Sequence, residues 1–359
     1  MGLSIGIISL GSKSSQMIWE EAKKIFDDAE LINLKKIEIS VGTKIKVLYD
    51  GEPFKKYDCL LMRGSYKYAS LLYGLSEVFK EKTFIPIDPY AHILAHNKFM
   101  THLLFSSDKN LKMPTTYFAA QISETKRFLK TLNYPIILKF PSGTHGKGVV
   151  FSESYYSANT MIDALDVFKQ MVMVQDHINI KSDIRVIVAG EKIIGSMRRI
   201  ANKDEIRANA HQGGKAEPYI VSPEVKMMCL RASKTIKANI CAIDIIESEY
   251  GPLILEVNTS PGLQKITEVT RKNIAKEMVE YMFEETKKLK EADQKIKTKD
   301  LMSGLGVEEI GSREFEAELR VRNDKIVLPE FVYKMTSFKE EENVVFRVSK
   351  NKIEIIKED

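Results

Sequence analysis

The stretch LILEVNTSPGL, Leu253–Leu263, decides how this chain is read. An apolar run leads into Glu256, an amide follows at Asn258, and Ser260-Pro261-Gly262 closes the segment as a turn. Residues i and i+2 of a strand share a face, so Glu256 and Asn258 project together from a segment that otherwise reads as buried. Just upstream, AIDII places a lone Asp244 among apolar residues. If the two strands pair antiparallel through a turn at Tyr250-Gly251, three oxygen-bearing side chains converge. Buried carboxylates are costly and repel one another. A hard divalent cation removes that cost, because it takes a few carboxylate oxygens and completes its shell with water or phosphate oxygens. The alternative is two half-exposed acids on an edge strand.

Upstream segments carry compatible chemistry. SGTHGKGVV holds Gly143, Thr144, His145 and Gly146 between two strand-like runs. A P-loop joins a strand to a helix and continues Lys-Ser/Thr, so this is a glycine hairpin, able to fold over phosphates with its backbone N–H groups or simply to flex. Lys139 in PIILKF is a cation inside an apolar strand and needs an anionic partner, for which a nucleotide phosphate would serve. Lys98, on the helix after Asp88-Pro89, is a possible second clamp or a solvated helix residue. MVMVQDHI ends a strand at Gln175, Asp176, His177 and Ile178, where backbone groups can meet an adenine edge. Asp183, opening the next strand, can accept from ribose hydroxyls or cap a turn. The polar stretch from Arg198 to Gly214 gathers Arg198, Arg199, Arg207, Asn209 and His211, and arginine forks suit carboxylates and phosphates.

Composition bounds the class. The chain has 359 residues, 44% hydrophobic and 29% charged, enough for more than one lobe. Three widely spaced cysteines argue against a zinc cage or a disulfide framework and fit a reducing compartment. No apolar run reaches membrane-spanning length, and the first residues lead into a strand with no signal-peptide pattern, so a cytoplasmic protein is expected. A net charge of +5 permits anionic substrates without demanding nucleic acid.

Strands at Ser4–Leu10, Tyr57–Gly64 and Thr83–Pro89 alternate with helices and predict an open α/β lobe over residues 1–90. Paired strands follow over 91–292, and TEVTRKNIAKEMVEYMFEETKKLKE predicts one long helix ending near residue 290. KIKTKD reads as a polar linker. Period-two alternation in FEAELRVR, KIVLPEFV, VVFRVS and KIEII predicts a small all-β appendage over 293–359, of unassigned role.

ILKFPSGTHGKGVV, VQDHI, DIRVIV, RRIANKDEIRANAHQGG, IDII and LEVNTSPGL occur in an order that resembles the ATP-grasp ligases, in their RimK-like branch of carboxylate–amine (glutamate) ligases. The resemblance covers about residues 1–290. It implies an α/β (α+β) ATP-grasp fold: an N-terminal open α/β pre-ATP-grasp lobe, a central lid over about 112–175 and a C-terminal antiparallel-sheet lobe over about 176–292. It implies ATP and Mg²⁺ (or Mn²⁺) as cofactors, with Asp244, Glu256 and Asn258 on the metal. Lys98 and Lys139 would meet phosphates under the glycine loop. Gln175, Asp176, His177 and Ile178 would border adenine, Asp183 ribose, and Arg207 with Asn209 the phosphate side. Arg198 and Arg199, with Arg207, would be catalytic, holding an acceptor carboxylate or a developing oxyanion. Relatives often have Glu where Asp176 stands, and the segment to Asp183 is shorter here, which weakens the ribose assignment.

The reaction so implied joins glutamate, or a similar amino acid, to an acidic acceptor such as a protein C-terminus or a coenzyme. The partners expected are ATP, the amino-acid donor, the acceptor and further copies of the chain, with neither membrane nor nucleic acid. The competing class is an ATP-binding sensor whose β appendage mediates protein or DNA contact. Near-balance of acids and bases in that appendage argues against a phosphate-binding surface.

Overall fold

The computed structural model describes residues 2–141, 148–167, 171–179, 182–200, 215–249, 251–304, 320–322, 325–328, 343–350 and 352–357. The chain divides into one unit over Met1–Ile296 and a second over Lys297–Asp359.

In the first unit, the apolar strand β1 (Ser4–Ser9) leads through a Ser-rich loop into helix α1 (Lys13–Ile25). The Ser12 hydroxyl accepts from the Ser15 amide and caps the helix. β1 lies between two parallel partners, β2 (Asp28–Asn33) and β3 (Cys59–Met62). The segment expected as a third strand, TFIPIDP, instead makes a single parallel bridge from Phe84 to Cys59. Pro86 has no N–H to extend the ladder, and Pro89 opens a helix. The third place in the sheet goes to β2, which the sequence pattern does not single out.

Helix α2 (Lys98–Ser106) follows, with Asn97 accepting from the Met100 amide as its cap. Next comes a four-stranded antiparallel sheet of β4 (Thr116–Phe118), β5 (Ile136–Lys139), β6 (Val149–Ser152) and β7 (Met173–Asp176), in the order β4-β7-β5-β6. Along β5, Ile136 and Leu138 enter an apolar core while Ile137 and Lys139 take the opposite face.

The third sheet carries the opening stretch. It contains β8 (Ser182–Ala189), β9 (Lys192–Ile200), β10 (Lys215–Pro218), β11 (Ile240–Ser248) and β12 (Gly251–Asn258), ordered β10-β9-β8-β11-β12. All its ladders are antiparallel. The run CAIDIIES lies in the middle of the sheet, and a near-continuous apolar sequence suits a strand covered on both faces. Helix α3 (Pro223–Ile236) packs its Val225, Met228, Cys229, Ala232 and Ile236 into the same core as Ile240–Ile245.

The helix expected after the Ser-Pro-Gly turn is two helices, α4 (Gln264–Thr270) and α5 (Ile274–Gly304). Arg271 adopts a left-handed conformation with φ 54°, and Asn273 restarts the helix by accepting from the Lys276 amide. α5 also runs through KIKTKD, which was expected as a linker; no Gly or Pro stops it before Gly304.

In the second unit, Arg320–Arg322 pairs antiparallel with Lys325–Val327, and Val344–Ser349 with Lys352–Lys357. Among the described residues, no helix is long and apolar enough to cross a membrane.

Candidate active site

β11 and β12 pair with Asp244 directly opposite Glu256 and Ala242 opposite Asn258. A bulge at Leu255 follows, since Ile245 pairs with Ile254. The Asn258 amide donates to Glu256 Oε1 at 3.0 Å, so the two side chains share a face as the spacing predicts. Both are half-buried and line a cavity of about 360 Å³. Lys98, His102, Arg185, Arg199, Arg63 and the Ser9–Ser15 loop also line that cavity. A more open cavity of about 1790 Å³ elsewhere on the unit contains none of the candidate residues.

Asp244 does not line the 360 Å³ cavity. It is buried and sits opposite Arg185 across the β8–β11 ladder. Arg185 Nε and Nη2 donate to its two oxygens at 2.8 and 2.6 Å, and Arg199 Nη2 lies 2.8 Å from Oδ2. Arg199 also grips Asp183, its partner across β8–β9, with Nε 2.6 Å from Oδ1 and Nη2 on Oδ2. Two acids and two guanidiniums thus form one buried chain, Arg185–Asp244–Arg199–Asp183. Burial works against the Asp244 charge, but Arg185 and Arg199 outweigh it and hold the carboxyl below the usual carboxylate range. Asp183 is pushed up to about 6 by burial, against the pull of Arg199.

Arg198 and Arg199, expected to act together, take opposite faces of β9. Adjacent strand residues face opposite sides, and Arg198 takes the far face of β9. There it donates to Glu247 at 2.9 Å and to Ser182 Oγ at 3.2 Å, and stacks 4.9 Å over the Tyr219 ring. It is absent from the lining of the cavity.

The lysines come from two elements. Lys98 starts α2, which is anchored by its own amide donating to the Pro141 carbonyl at 2.9 Å. Lys139, at the end of β5, donates to Gln175 Oε1 at 2.5 Å. Gln175 is buried on the neighbouring β7, and its amide donates to Thr116 Oγ1 at 3.0 Å. Thr116 Oγ1 in turn lies 3.0 Å from His102 Nδ1. Gln175 therefore faces inward to the lysine. Burial pushes the Lys139 amine down to about 8, with Glu256 attracting its charge and Lys98 repelling it. Burial, followed by the same two lysines, pushes His102 down to about 4, so its ring is neutral at physiological pH. At the end of β7 the Asp176 amide donates to the Thr115 carbonyl, and the His177 ring meets Phe151 edge-on at 4.9 Å. Ile178 beside it is half-buried. Gly143, Thr144, His145, Gly146, Arg207 and Asn209 lie outside the described residues.

Sequence reasoning passed over Arg185 and Arg63. Arg185 is a charge in the middle of an apolar strand, DIRVIV, the same signal that singled out Lys139. Arg63 closes the apolar run CLLM, at the point where a parallel strand opens toward a ligand crevice.

Comparison with known proteins identifies the family. A family model described as the RimK-like ATP-grasp domain matches residues 95–282. A protein of Stutzerimonas stutzeri, named as a probable alpha-L-glutamate ligase, is 32% identical over 242 residues, 67% of this chain and 80% of its own. A protein of Pseudoalteromonas translucida with the same name is 30% identical over 289 residues, 78% of this chain and 95% of its own. Among solved structures, the ATP-grasp ligase PsnB complexed with a precursor variant, Mg and ADP aligns with a TM-score of 0.62 at 17% identity, covering 79% of this chain and 98% of that one. The RimK domain protein of Sphaerobacter thermophilus aligns with a TM-score of 0.61 at 15% identity, covering 78% and 99%. As the resemblance implies, this chain belongs to the RimK-like ATP-grasp family and is an ATP-dependent ligase.

Proposed function

We propose that the enzyme joins the amine of glutamate to a carboxylate of an acidic acceptor, a protein or peptide C-terminus or a coenzyme, through an acylphosphate. The observation that carries this reading is the single cavity that brings Glu256, Asn258 and Lys98 together with Arg185 and Arg199. The names of the curated relatives support glutamate as the amine. A carboxylate oxygen of the acceptor attacks the γ-phosphorus of ATP, and ADP leaves. The glutamate amine then attacks the acyl carbon, the C–O bond to phosphate breaks, and inorganic phosphate departs. No covalent enzyme intermediate is needed, so positioning and charge neutralisation supply the rate.

Glu256 and Asn258 would hold Mg²⁺ (or Mn²⁺). Their oxygens share one half-buried face beside the cavity, and a cation that binds phosphates needs only one or two carboxylates from the protein. Bound there, the cation would neutralise phosphate charge during transfer. Among the described residues, no cluster of three or more His, Cys, Asp or Glu could hold a metal. Asp244 would reach the cation only by releasing a guanidinium, and we assign it to orienting Arg185 and Arg199. Asp183, whose oxygens both accept from Arg199, is assigned the same work in place of ribose binding. Asp176, His177 and Ile178 would border adenine.

Lys98 and Lys139 would face the phosphates. As pH rises through about 8, the Lys139 amine of the free enzyme loses its proton. Phosphate binding favours the charged amine, so magnesium–ATP affinity should fall about tenfold from roughly pH 7.5 to roughly pH 9.5. Lys139→Met should bind more weakly at the lower pH and show little further loss, as measured by competition with a fluorescent nucleotide.

The test of the whole reading is ADP release with each amino acid against acidic peptides and coenzymes, followed by mass spectrometry. Glutamate-dependent release and a product heavier by one glutamyl residue are expected. Release that needs a different amino acid, or none, overturns glutamate ligation.

A further inference from the structure

Arg63 is 4% exposed and extends from the end of β3 into the 360 Å³ cavity. Its Nε donates to Ser15 Oγ at 3.0 Å and its Nη2 to the Pro261 carbonyl at 2.7 Å. Nη1 is buried with no hydrogen-bond partner among the described residues. None of the ion pairs found among the described residues includes Arg63. Burial alone pushes its guanidinium down to about 10. A desolvated cation with an orphaned donor is expensive to keep unless an anion arrives to meet it. Arg185 and Arg199, the other guanidiniums of this cavity, are already matched by Asp244 and Asp183.

The surroundings form a cradle. β1 sits between two parallel partners reached by opposite crossovers, and a crevice at the carboxyl ends of such strands is where α/β sheets bind ligands. At that end lies the first turn of α1, which has 13 residues and no acid in that turn. Its leading amides add positive potential. The Ser-Pro-Gly turn closes the other side. The Gly64 amide donates to Ser260 Oγ at 3.1 Å, the Leu263 amide to Ser14 Oγ at 2.9 Å, and Ser14 Oγ to Gln264 Oε1 at 2.8 Å. Glu256 is the carboxylate that lines this cavity, and its neighbours there include Lys98. Lys139 is not part of the lining.

We infer that Arg63, with the first turn of α1 and the Ser260–Gly262 turn, is a carboxylate subsite that holds a non-reacting carboxylate of the ligase's acidic substrate. The inference rests on the ligase reading and narrows it to a substrate with at least two carboxylates. The acceptor's reacting carboxylate lies near Glu256 and Asn258, while a carboxylate that does not react is held at Arg63. The held carboxylate belongs either to the amino-acid donor or to the acceptor, and the two are separable.

The experiment is calorimetric titration of the full chain, with and without a saturating magnesium–nucleotide analogue. The probes are L-glutamate, which can act as donor, and N-acetyl-L-glutamate, whose blocked amine leaves it only the acceptor role. One probe should bind Arg63→Gln at least about tenfold more weakly than the unmodified chain, with nucleotide affinity held within about twofold, and its identity names the source. The Arg63→Lys variant should recover part of the loss. In the unmodified chain, the dimethyl ester of the binding probe should bind at least about tenfold more weakly than the acid, a readout that needs no variant to fold. Failure of both probes to bind, equal binding of acid and ester, or binding of both probes unchanged in Arg63→Gln overturns the subsite. Loss of nucleotide binding in the unmodified chain, with Arg63-dependent probe binding intact, counts against the ligase reading and leaves the subsite standing.

Discussion

Glu256→Gln should cut substrate-dependent ADP release by about 10³-fold or more while leaving the melting temperature nearly unchanged. The side chain is half-buried, and its hydrogen-bond partner is the amide of Asn258, which a glutamine oxygen can also accept from. Little folding free energy therefore depends on its charge. On the proposed reading, catalysis would draw on that charge in two ways. The carboxylate would carry the magnesium–phosphate charge, and it attracts the amine of Lys139, whose proton is already weakened by burial. The variant should accordingly require far more Mg²⁺ for residual activity and should titrate Lys139 at lower pH. Turnover within about tenfold of the unmodified enzyme at saturating substrate would remove Glu256 from the metal role.

How much of this was legible follows from the range over which each signal acts. The polar pair Glu256/Asn258 was visible because period two is a local property of a strand. Lys139 was visible as a charge in an apolar run. Asp244 was visible for the same reason, but its partners were not. Arg185 and Arg199 reach it through the registers of β8 with β11 and with β9, and a register is fixed by turns and packing across the sheet. Without that register, the pairing of Asp183 with Arg199 and the opposite facing of Arg198 could not be seen. The strand end at Gln175 was recognisable, but the inward turn of its side chain to Lys139 was not. Helix boundaries failed where a single backbone torsion decided them: nothing in TRKN announces a left-handed Arg271. The missing strand at TFIPIDP shows the converse, a local rule about proline that the apolar pattern outweighed.

The second large effect is on stability. Arg199→Ala should cost about 3–5 kcal/mol of folding free energy, because it leaves the buried carboxylates of Asp183 and Asp244 with Arg185 as the one cation paired to them among the described residues. A loss of turnover in this variant would therefore not by itself identify a catalytic role. The deficit should depend on pH in a defined direction. Without Arg199, burial and the neighbouring acid raise the folded-state pKa of Asp183 further above its unfolded value of about 3.9. A carboxyl with a raised folded pKa becomes costlier as pH rises from its unfolded pKa to its folded one, so a further rise beyond the parent's value of about 6 separates variant from parent only above that pH. Denaturant melts should therefore show a smaller gap between variant and parent near pH 5 than near pH 8. Removing the unpaired charge should help as well: Asp183→Asn/Arg199→Met should be more stable than Arg199→Met alone at the higher pH, since no buried carboxylate at 183 is then left without its guanidinium. Equal gaps at both pH values, or strict additivity of the two substitutions, would mean that the four-residue chain is not the electrostatic unit its geometry describes. Arg199 would then be free to be assigned wholly to the substrate.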